Sequence, residues 1–291
     1  MQGPKTPSRR VAEATVVTGA GGQLGIELAR RLDGQTAVTL NRSQLDITNA
    51  SLVERTLGEI SPRLIIHAAA ATNVDGCEAD RAEAYRINAV GTWNVARAAE
   101  RAGAQMVYVS TNFVFDGRKL GPYLEYDDPA PLSAYGWTKL HGERAARQVL
   151  ERLYVVRTSW LYSRWGRNFL SRLTNVDASD GPLRYVGDQV ANPTNAGDLA
   201  AAILELAETE AFGVHHLVNE GATSWYGWAA AFLTGLDRRD VQLEEISASE
   251  FPRAAAVPAN AELANETARA VGVTLRPWGE ALTAHIREMA L

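Results

Sequence analysis

A glycine-rich turn between two apolar runs constrains this chain more than any other feature. Residues 14–18 form a short β-branched run that predicts a buried strand, and residues 24–32 have the apolar spacing of a helix. Glycines at 19, 22 and 25 join the two runs. Glycine lets the backbone approach a pyrophosphate closely, and the helix N-terminus offers N–H groups with partial positive charge. The turn therefore predicts a dinucleotide site formed by Gly19, Gly22, Gln23, Leu24 and Gly25.

The rest of the first half alternates short β-branched runs with longer amphipathic stretches. The runs predict strands at Thr36–Leu40, Leu64–Ala69, Gln105–Ser110 and Tyr154–Trp160. The stretches predict helices at Leu52–Ile60, Arg81–Ala102 and Ala134–Leu153. This order predicts an α/β fold with a doubly wound parallel sheet of the Rossmann type.

The regular alternation of predicted strands and helices ends after Ser163, where the predicted elements are shorter and are interrupted by glycine and proline. We expect a dinucleotide-binding domain over residues 11–163, completed by 196–218, and a smaller substrate-binding lobe over 164–195 and 219–291. Residues 1–10 are expected to form a flexible leader. With 291 residues, 46% of them hydrophobic, the chain is long enough to bury a sizeable core.

Charge and composition exclude several classes of partner. The net charge is −5 and the basic residues are spread along the chain, which argues against nucleic acid as a partner. No apolar run approaches the 18 or so residues that span a membrane. Cys77 is the single cysteine and no histidines cluster around it, so neither a disulfide nor a metal site is expected. The composition predicts a cytoplasmic protein that binds a small molecule.

Tyr135 and Lys139 are the candidate catalytic pair. A spacing of four residues places them on one face of a helix. A lysine ammonium near a phenol favours the phenolate, so we expect Lys139 to lower the pKa of Tyr135 toward neutrality. Such a pair suits proton transfer during reduction of a carbonyl. Thr111 ends a predicted strand and can donate a second hydrogen bond to the same oxygen; the alternative is that it only caps a turn.

The end of the second predicted strand bears on the choice of cofactor. An acidic residue there would bind a ribose hydroxyl, but the chain has Asn41 and Arg42. Arg42 can pair with a 2′-phosphate, which favours NADPH, with NADH as the alternative cofactor. If Arg42 is instead only a solvated loop residue, this preference loses its basis.

Five further strings occur in order and narrow the assignment. They are Leu45-Asp46-Ile47-Thr48, His67-Ala68-Ala69-Ala70, Ser110-Thr111-Asn112-Phe113-Val114-Phe115-Asp116-Gly117, Arg157-Thr158-Ser159-Trp160, and Gly187-Asp188-Gln189 followed by Pro193-Thr194. With the glycine turn and the Tyr135/Lys139 pair, the chain resembles the extended short-chain dehydrogenase/reductase superfamily over nearly its whole length. Within that superfamily it is similar to the dTDP-4-dehydrorhamnose reductase family.

The resemblance implies an activity and roles for particular residues. The activity is NAD(P)H-dependent reduction of the 4-keto group of a dTDP-4-dehydro-6-deoxyhexose, and the partner is that dTDP-sugar. Asp46 and Ile47 would lie along the adenine, and residues 68–70 would line the cofactor. Lys139 would bond the nicotinamide ribose. The implied substrate-binding residues are Asn112, Trp160 and Gln189.

Two departures from the family pattern leave the sugar open. Asn112 stands where the family usually has Asp, and Val257 stands where it usually has Arg. Another deoxysugar is therefore an alternative to dTDP-4-dehydrorhamnose. Trp160 can also serve only as packing between lobes.

Other functions on the same scaffold are also alternatives. Asn112 and Phe113 do not titrate, which disfavours a dehydratase, since that reaction needs an acid and a base. A nucleotide-sugar epimerase and a non-catalytic regulatory subunit with the reductase fold stay open. The presence of Thr111, Tyr135 and Lys139 together favours catalysis, and a homodimer is a further open expectation.

Overall fold

The computed structural model describes residues 14–174 and 176–289. The strands are β1 Thr15–Thr18, β2 Ala37–Leu40, β3 Leu64–His67, β4 Gln105–Thr111, β5 Leu153–Thr158, β6 Leu161–Tyr162, β7 Leu183–Val186, β8 Val190–Ala191, β9 Thr194–Asn195, β10 Gly213–His216, β11 Thr223–Ser224 and β12 Leu243–Ile246. The helices are α1 Gln23–Arg31, α2 Ala50–Ile60, α3 Val74–Ala79, α4 Arg81–Tyr85, α5 Thr92–Ala102, α6 Ala134–Arg147, α7 Phe169–Leu173, α8 Ala196–Ala207, α9 Trp225–Gly235, α10 Glu266–Ala270 and α11 Trp278–Met289. The leader predicted for residues 1–10 lies outside the described residues.

A six-stranded parallel sheet forms the centre of the molecule, in the order β10-β5-β4-β3-β1-β2. The chain moves outward from β1 to β2 and then crosses back to β3 on the other side of β1. In sheets of this kind, ligands bind where the direction of winding reverses, beyond the carboxyl ends of the strands. The predicted α/β fold with a doubly wound sheet is confirmed.

Helices cover both faces of the sheet because the strands are apolar on both sides. On one face Val17 and Ile66 pack against α1 and α8. On the other face Val16 and Ile65 pack against α2 and α5. All four side chains are fully buried, as expected of parallel strands that have helices on both faces.

Several element boundaries differ from those predicted. Helix α6 ends at Arg147, not Leu153, because Leu153 begins β5 and pairs with Met106 of β4. Strand β5 ends at Thr158, since Trp160 adopts a positive φ of 34° that a strand does not allow. The long helix predicted from Arg81 is present, but its middle, Arg86–Gly91, is a π-helical turn. Helix α3 was not predicted.

The second half of the chain supplies an aromatic cluster beside the sheet. Trp228 and Phe232 of α9 are buried with Tyr162 and Leu282. Strand β10 pairs with β5, so this part of the chain also completes the sheet. The division into a dinucleotide-binding domain and a substrate-binding lobe stays a prediction. Within the two described ranges, no helix combines the length and the apolar character that crossing a membrane requires.

A buried ion pair joins α6 to the two strands beside it. Glu143 accepts two hydrogen bonds from the Arg157 guanidinium, at 3.0 and 2.8 Å. The Ser110 hydroxyl donates a third bond to the same carboxylate, at 2.5 Å. The side chains of Glu143 and Arg157 are only 3% and 4% exposed. Helix α6 and strand β4, which carry candidate site residues, therefore meet strand β5 at one carboxylate.

Replacing Glu143 with Gln should destabilise the protein, because it leaves the Arg157 charge buried without a counter-charge. We expect the free energy of unfolding to fall by about 3–5 kcal/mol, measured by urea denaturation. Glu208→Gln is the control, since the Arg63–Glu208 pair is largely exposed and should contribute little. Equal effects of the two substitutions would contradict the role assigned to the buried pair.

Candidate active site

A cavity of about 890 Å³ opens at the carboxyl ends of the central strands. Its position is the one expected from the reversal of winding between β1 and β3. The sequence-predicted residues that line it are Gly19, Gly22, Gln23, Leu24, Gly25, Arg42, Asp46, Ile47, Ala68, Ala69, Ala70, Thr111, Asn112, Tyr135, Lys139 and Trp160. Gln189 does not line it and lies beside β8 in the second half of the chain.

The glycine turn has the geometry that close approach to a phosphate needs. Gly19 has a φ of 73°, and a Cβ there would lie 2.6 Å from the backbone N of Ala69. A Cβ on Gly25 would lie 2.6 Å from the Cα of Ala20. Gly22 is the N-cap of α1 and offers no side chain to the first-turn N–H groups. These groups can therefore receive the pyrophosphate of a dinucleotide, so the residues present fit the cofactor.

The loop after β2 forms the other end of the cofactor half of the cavity. The Asn41 side chain is engaged locally, because its Oδ1 accepts hydrogen bonds from the N–H groups of Ser43 and Gln44. The Arg42 side chain is 79% exposed and lies 3.8 Å from a carboxylate oxygen of Glu83. An exposed arginine with one distant partner can turn toward an added phosphate.

Helix α6 positions the Tyr135/Lys139 pair. Ser133 caps its N-terminus by accepting a hydrogen bond from the Gly136 N–H. The ammonium of Lys139 donates to the backbone oxygen of Val109 at 2.6 Å and lies 4.1 Å from the centre of the Tyr108 ring. Both Tyr135 and Lys139 line the cavity, as the four-residue spacing predicted.

The pKa of Tyr135 moves in the direction opposite to that expected from Lys139. Burial raises the pKa of Tyr135 to about 12, and the hydrogen bond from Thr111 opposes only part of that rise. Burial also lowers the pKa of Lys139 to about 7, against the attraction of Glu143. The expected lowering of the tyrosine pKa is wrong because desolvation dominates, and Lys139 is not among the groups that shift it. The phenol is consequently protonated at neutral pH, the state that a proton donor requires.

Thr111 and Asn112 form a compact unit at the end of β4. The Thr111 hydroxyl accepts a hydrogen bond from the Phe113 N–H and donates to the Asn112 side chain at 3.3 Å. The amide nitrogen of Asn112 donates to the Ser159 hydroxyl and to the backbone oxygen of Ala261, at 2.9 and 3.1 Å. Asn112 therefore joins the loop after β4 to the loop after β5 and to the second half of the chain.

Trp225 and Arg253 are among the cavity-lining residues that the sequence did not indicate. The Trp225 ring stacks on Trp160, with centroids 3.7 Å apart. This stack supports Trp160 in a backbone conformation that is unusual for a bulky residue. The sequence signal that could have indicated Trp225 is its position directly after Ser224, the serine that caps the N-terminus of α9. Arg253 had no signal, because its partner Asp75 is 178 positions away.

Asn88 lies in the π-helical turn, and its buried side chain forms hydrogen bonds to two other segments. Its amide donates to the backbone oxygen of Ala71 and to the Thr138 hydroxyl, and its carbonyl accepts from the Ala71 N–H. Asn88 thus connects the loop after β3 to α6 at Thr138, the residue before Lys139. Turns of this kind often occur at functional sites.

Comparison with known families identifies the group to which this architecture belongs. A family model described as the RmlD substrate binding domain matches residues 13–291. A dTDP-4-dehydrorhamnose reductase of Mycobacterium tuberculosis is 37% identical over 282 residues, covering 93% of this chain and 91% of the relative. The chain belongs to the dTDP-4-dehydrorhamnose reductase family.

Two other relatives bear on the site. A dTDP-4-dehydrorhamnose reductase of Bacillus anthracis, solved in complex with NADP, has a TM-score of 0.91 and 36% identity, covering 96% of this chain and all of the relative. A probable dTDP-4,6-dihydroxy-2-methyloxan-3-one 4-ketoreductase of Streptomyces antibioticus is 36% identical over 274 residues, covering 92% of each chain. The resemblance inferred from the motifs is confirmed.

Across the residues that the structure describes, no three His, Cys, Asp or Glu side chains are grouped so that they could hold a metal ion. The charged residues that line the described cavity are Arg42, Asp46, Lys139 and Arg253.

Gly25→Ala tests the glycine turn. Its Cβ would collide with the backbone of Gly19 and Ala20, so the turn must move away from the phosphate-binding position. We expect NADPH binding, measured by fluorescence titration, to weaken at least about tenfold, a loss equivalent to one charge-assisted hydrogen bond. Gly58→Ala in α2 is the matched control, because a Cβ there meets open space. NADPH binding by Gly25→Ala equal to that of Gly58→Ala would contradict the assignment.

Proposed function

We propose that this protein catalyses the NADPH-dependent reduction of the 4-keto group of a dTDP-4-dehydro-6-deoxyhexose. The proposed reaction converts dTDP-4-dehydrorhamnose to dTDP-L-rhamnose. The observation that carries the proposal is one cavity that brings Thr111, Tyr135 and Lys139 together beside the glycine turn of α1. Membership of the reductase family supports the choice of reaction.

Each of the three residues has a separate role in this proposal. NADPH, when bound, supplies the hydride for the 4-carbon. Tyr135 donates its phenolic proton to the developing alkoxide, since burial keeps the phenol protonated. Lys139 stabilises the phenolate that remains and bonds the nicotinamide ribose. Thr111 donates a second hydrogen bond to the ketone oxygen and orients it.

The remaining site residues are proposed to bind the two ligands. The pyrophosphate of NADPH would bind to the glycine turn, formed by Gly19, Gly22, Gln23, Leu24 and Gly25. Arg42 would bind the 2′-phosphate, and Asp46 and Ile47 would contact the adenine. The rest of the cofactor would lie along Ala68, Ala69 and Ala70. Trp160 offers an apolar face to a sugar without a 6-hydroxyl. Asn112 completes the proposed substrate set inside the cavity, whereas Gln189 stays a prediction because it does not line the cavity. In this division the sheet domain binds the cofactor and the second lobe binds the nucleotide of the substrate.

A second deoxysugar is the main alternative substrate. The name of the Streptomyces antibioticus relative is probable dTDP-4,6-dihydroxy-2-methyloxan-3-one 4-ketoreductase, which is a different dTDP-linked ketone. The neutral Asn112 at the cavity wall supports this alternative, because an amide and a carboxylate prefer different hydroxyl patterns. The homodimer and the cytoplasmic location stay predictions.

The proposed function is tested by NADPH consumption with dTDP-4-dehydrorhamnose, its epimeric precursor and a UDP analogue. We expect consumption with dTDP-4-dehydrorhamnose, and NADPH should be used at least as well as NADH. A free sugar should lose turnover as well as affinity, because binding energy from the nucleotide aligns the ketone. No consumption with any dTDP-4-ketosugar would overturn the proposal in favour of a regulatory subunit. Product with the configuration inverted but NADPH unspent would indicate an epimerase.

Tyr135→Phe tests the assignment of the proton donor. The variant should bind NADPH about normally and lose nearly all turnover, because the missing hydroxyl acts mainly in the transition state. Positioned acids typically contribute about 10²–10⁴-fold, so retention of more than roughly a tenth of wild-type turnover would rule out this role. Tyr185→Phe is the control, since this partly buried tyrosine lies in β7 and does not line the cavity.

A further inference from the structure

Arg253 occupies an unusual position among the charged residues of the cavity. It lies in the loop that follows the turn Ala248–Glu250, and it reaches the cavity from the second half of the chain. Arg42 and Asp46 belong to the loop after β2, and Lys139 donates to the backbone oxygen of Val109. Among the cavity-lining residues that the structure describes, Arg253 is thus the cation that neither the cofactor nor the proton transfer uses.

The side chain of Arg253 is held by an ion pair across the two halves of the molecule. Its guanidinium donates to the two carboxylate oxygens of Asp75, at 3.3 and 3.0 Å. Asp75 belongs to the first turn of α3. The two side chains are 29% and 44% exposed. A pair that is this accessible to water contributes little to stability and breaks at little cost.

Asp75 also accepts a hydrogen bond from the Ala255 N–H at 3.0 Å. This bond does not involve the guanidinium, so the loop stays attached to α3 when Arg253 leaves. The position of Asp75 near the helix N-terminus stabilises its negative charge as well. When Arg253 is released, the hydrogen bond from Ala255 therefore still anchors the loop and still gives the Asp75 carboxylate a donor.

Helix α3 places the pair near the end of the cavity where chemistry occurs. Cys77, two residues after Asp75, is buried in one cluster with Ala134 and Tyr135. The phosphates of a dinucleotide would lie instead at the N-terminus of α1, which has its own free N–H groups. A cation beside α3 therefore faces the second ligand and not the cofactor.

We propose that Arg253 binds the diphosphate of the nucleotide-sugar substrate and exchanges its ion pair with Asp75 for that contact. The proposal rests on the proposed function, since it assumes a nucleoside diphosphate in the substrate half of the cavity. A diphosphate carries more negative charge than one carboxylate, and its oxygens match the planar fork of an arginine. The exchange would fix the substrate between the two halves of the molecule and set its distance from Tyr135.

The test measures binding of dTDP to the NADPH complex by isothermal titration calorimetry, in wild type and in Arg253→Ala. One lost charge-assisted contact should weaken dTDP binding about 10- to 100-fold, and NADPH affinity should not change. Arg184→Ala is the matched control, because it removes one exposed positive charge in the second half of the chain, paired with Glu244 and Glu250 away from the cavity.

Asp75→Asn separates ligand binding from a structural role, because it breaks the same ion pair and keeps an acceptor for Ala255. If Arg253 binds the diphosphate, Asp75→Asn should bind dTDP as well as wild type or more tightly. Equal weakening of dTDP binding by both variants would overturn the proposal in favour of a structural pair. Unchanged dTDP affinity in Arg253→Ala, or a loss of NADPH affinity instead, would also overturn it.

These outcomes are distinct from failure of the proposed function. NADPH consumption by the wild-type protein tests the reaction, and dTDP binding tests Arg253 without any turnover. Wild-type protein that reduces a dTDP-4-ketosugar while Arg253→Ala binds dTDP normally would remove only the role of Arg253.

Discussion

The buried pair between Glu143 and Arg157 connects the parts of the molecule on which the site depends. Glu143 lies one helical turn after Lys139 on α6, Arg157 lies in β5, and the third partner, Ser110, comes directly before Thr111. One carboxylate thereby fixes the relative positions of a helix and two strands. Charges this deeply buried tolerate little displacement, because each lost contact leaves an uncompensated charge in a low dielectric.

Close backbone approach is the second constraint on the site. The turn after β1 passes so near the loop after β3 that no side chain fits at Gly19, and α6 packs so near the turn after β4 that a Cβ on Gly136 would collide with the backbone oxygen of Phe113. Glycine is required at these points for space as much as for conformational freedom. The cofactor half and the catalytic helix are therefore positioned by backbone packing, before any ligand is bound.

Burial controls the electrostatics of the catalytic pair. Removal from water raises the pKa of Tyr135 and lowers that of Lys139, so the neutral form of each group is favoured. For a reductase this is productive, because the tyrosine must hold a proton to give. Glu143 opposes the loss of charge on Lys139. The same carboxylate that organises the fold therefore also supports the ammonium beside Tyr135.

The sequence by itself determined the doubly wound sheet, the glycine turn and the shared helix face of Tyr135 and Lys139. Each of these is a local pattern whose periodicity or spacing already fixes which side chains share a face. Tertiary structure alone decided the end of α6, the direction of the tyrosine pKa, and the presence of Trp225 and Arg253 in the cavity. These depend on burial and on contacts between distant segments, such as the pair with Asp75 across 178 positions, and no local pattern encodes them.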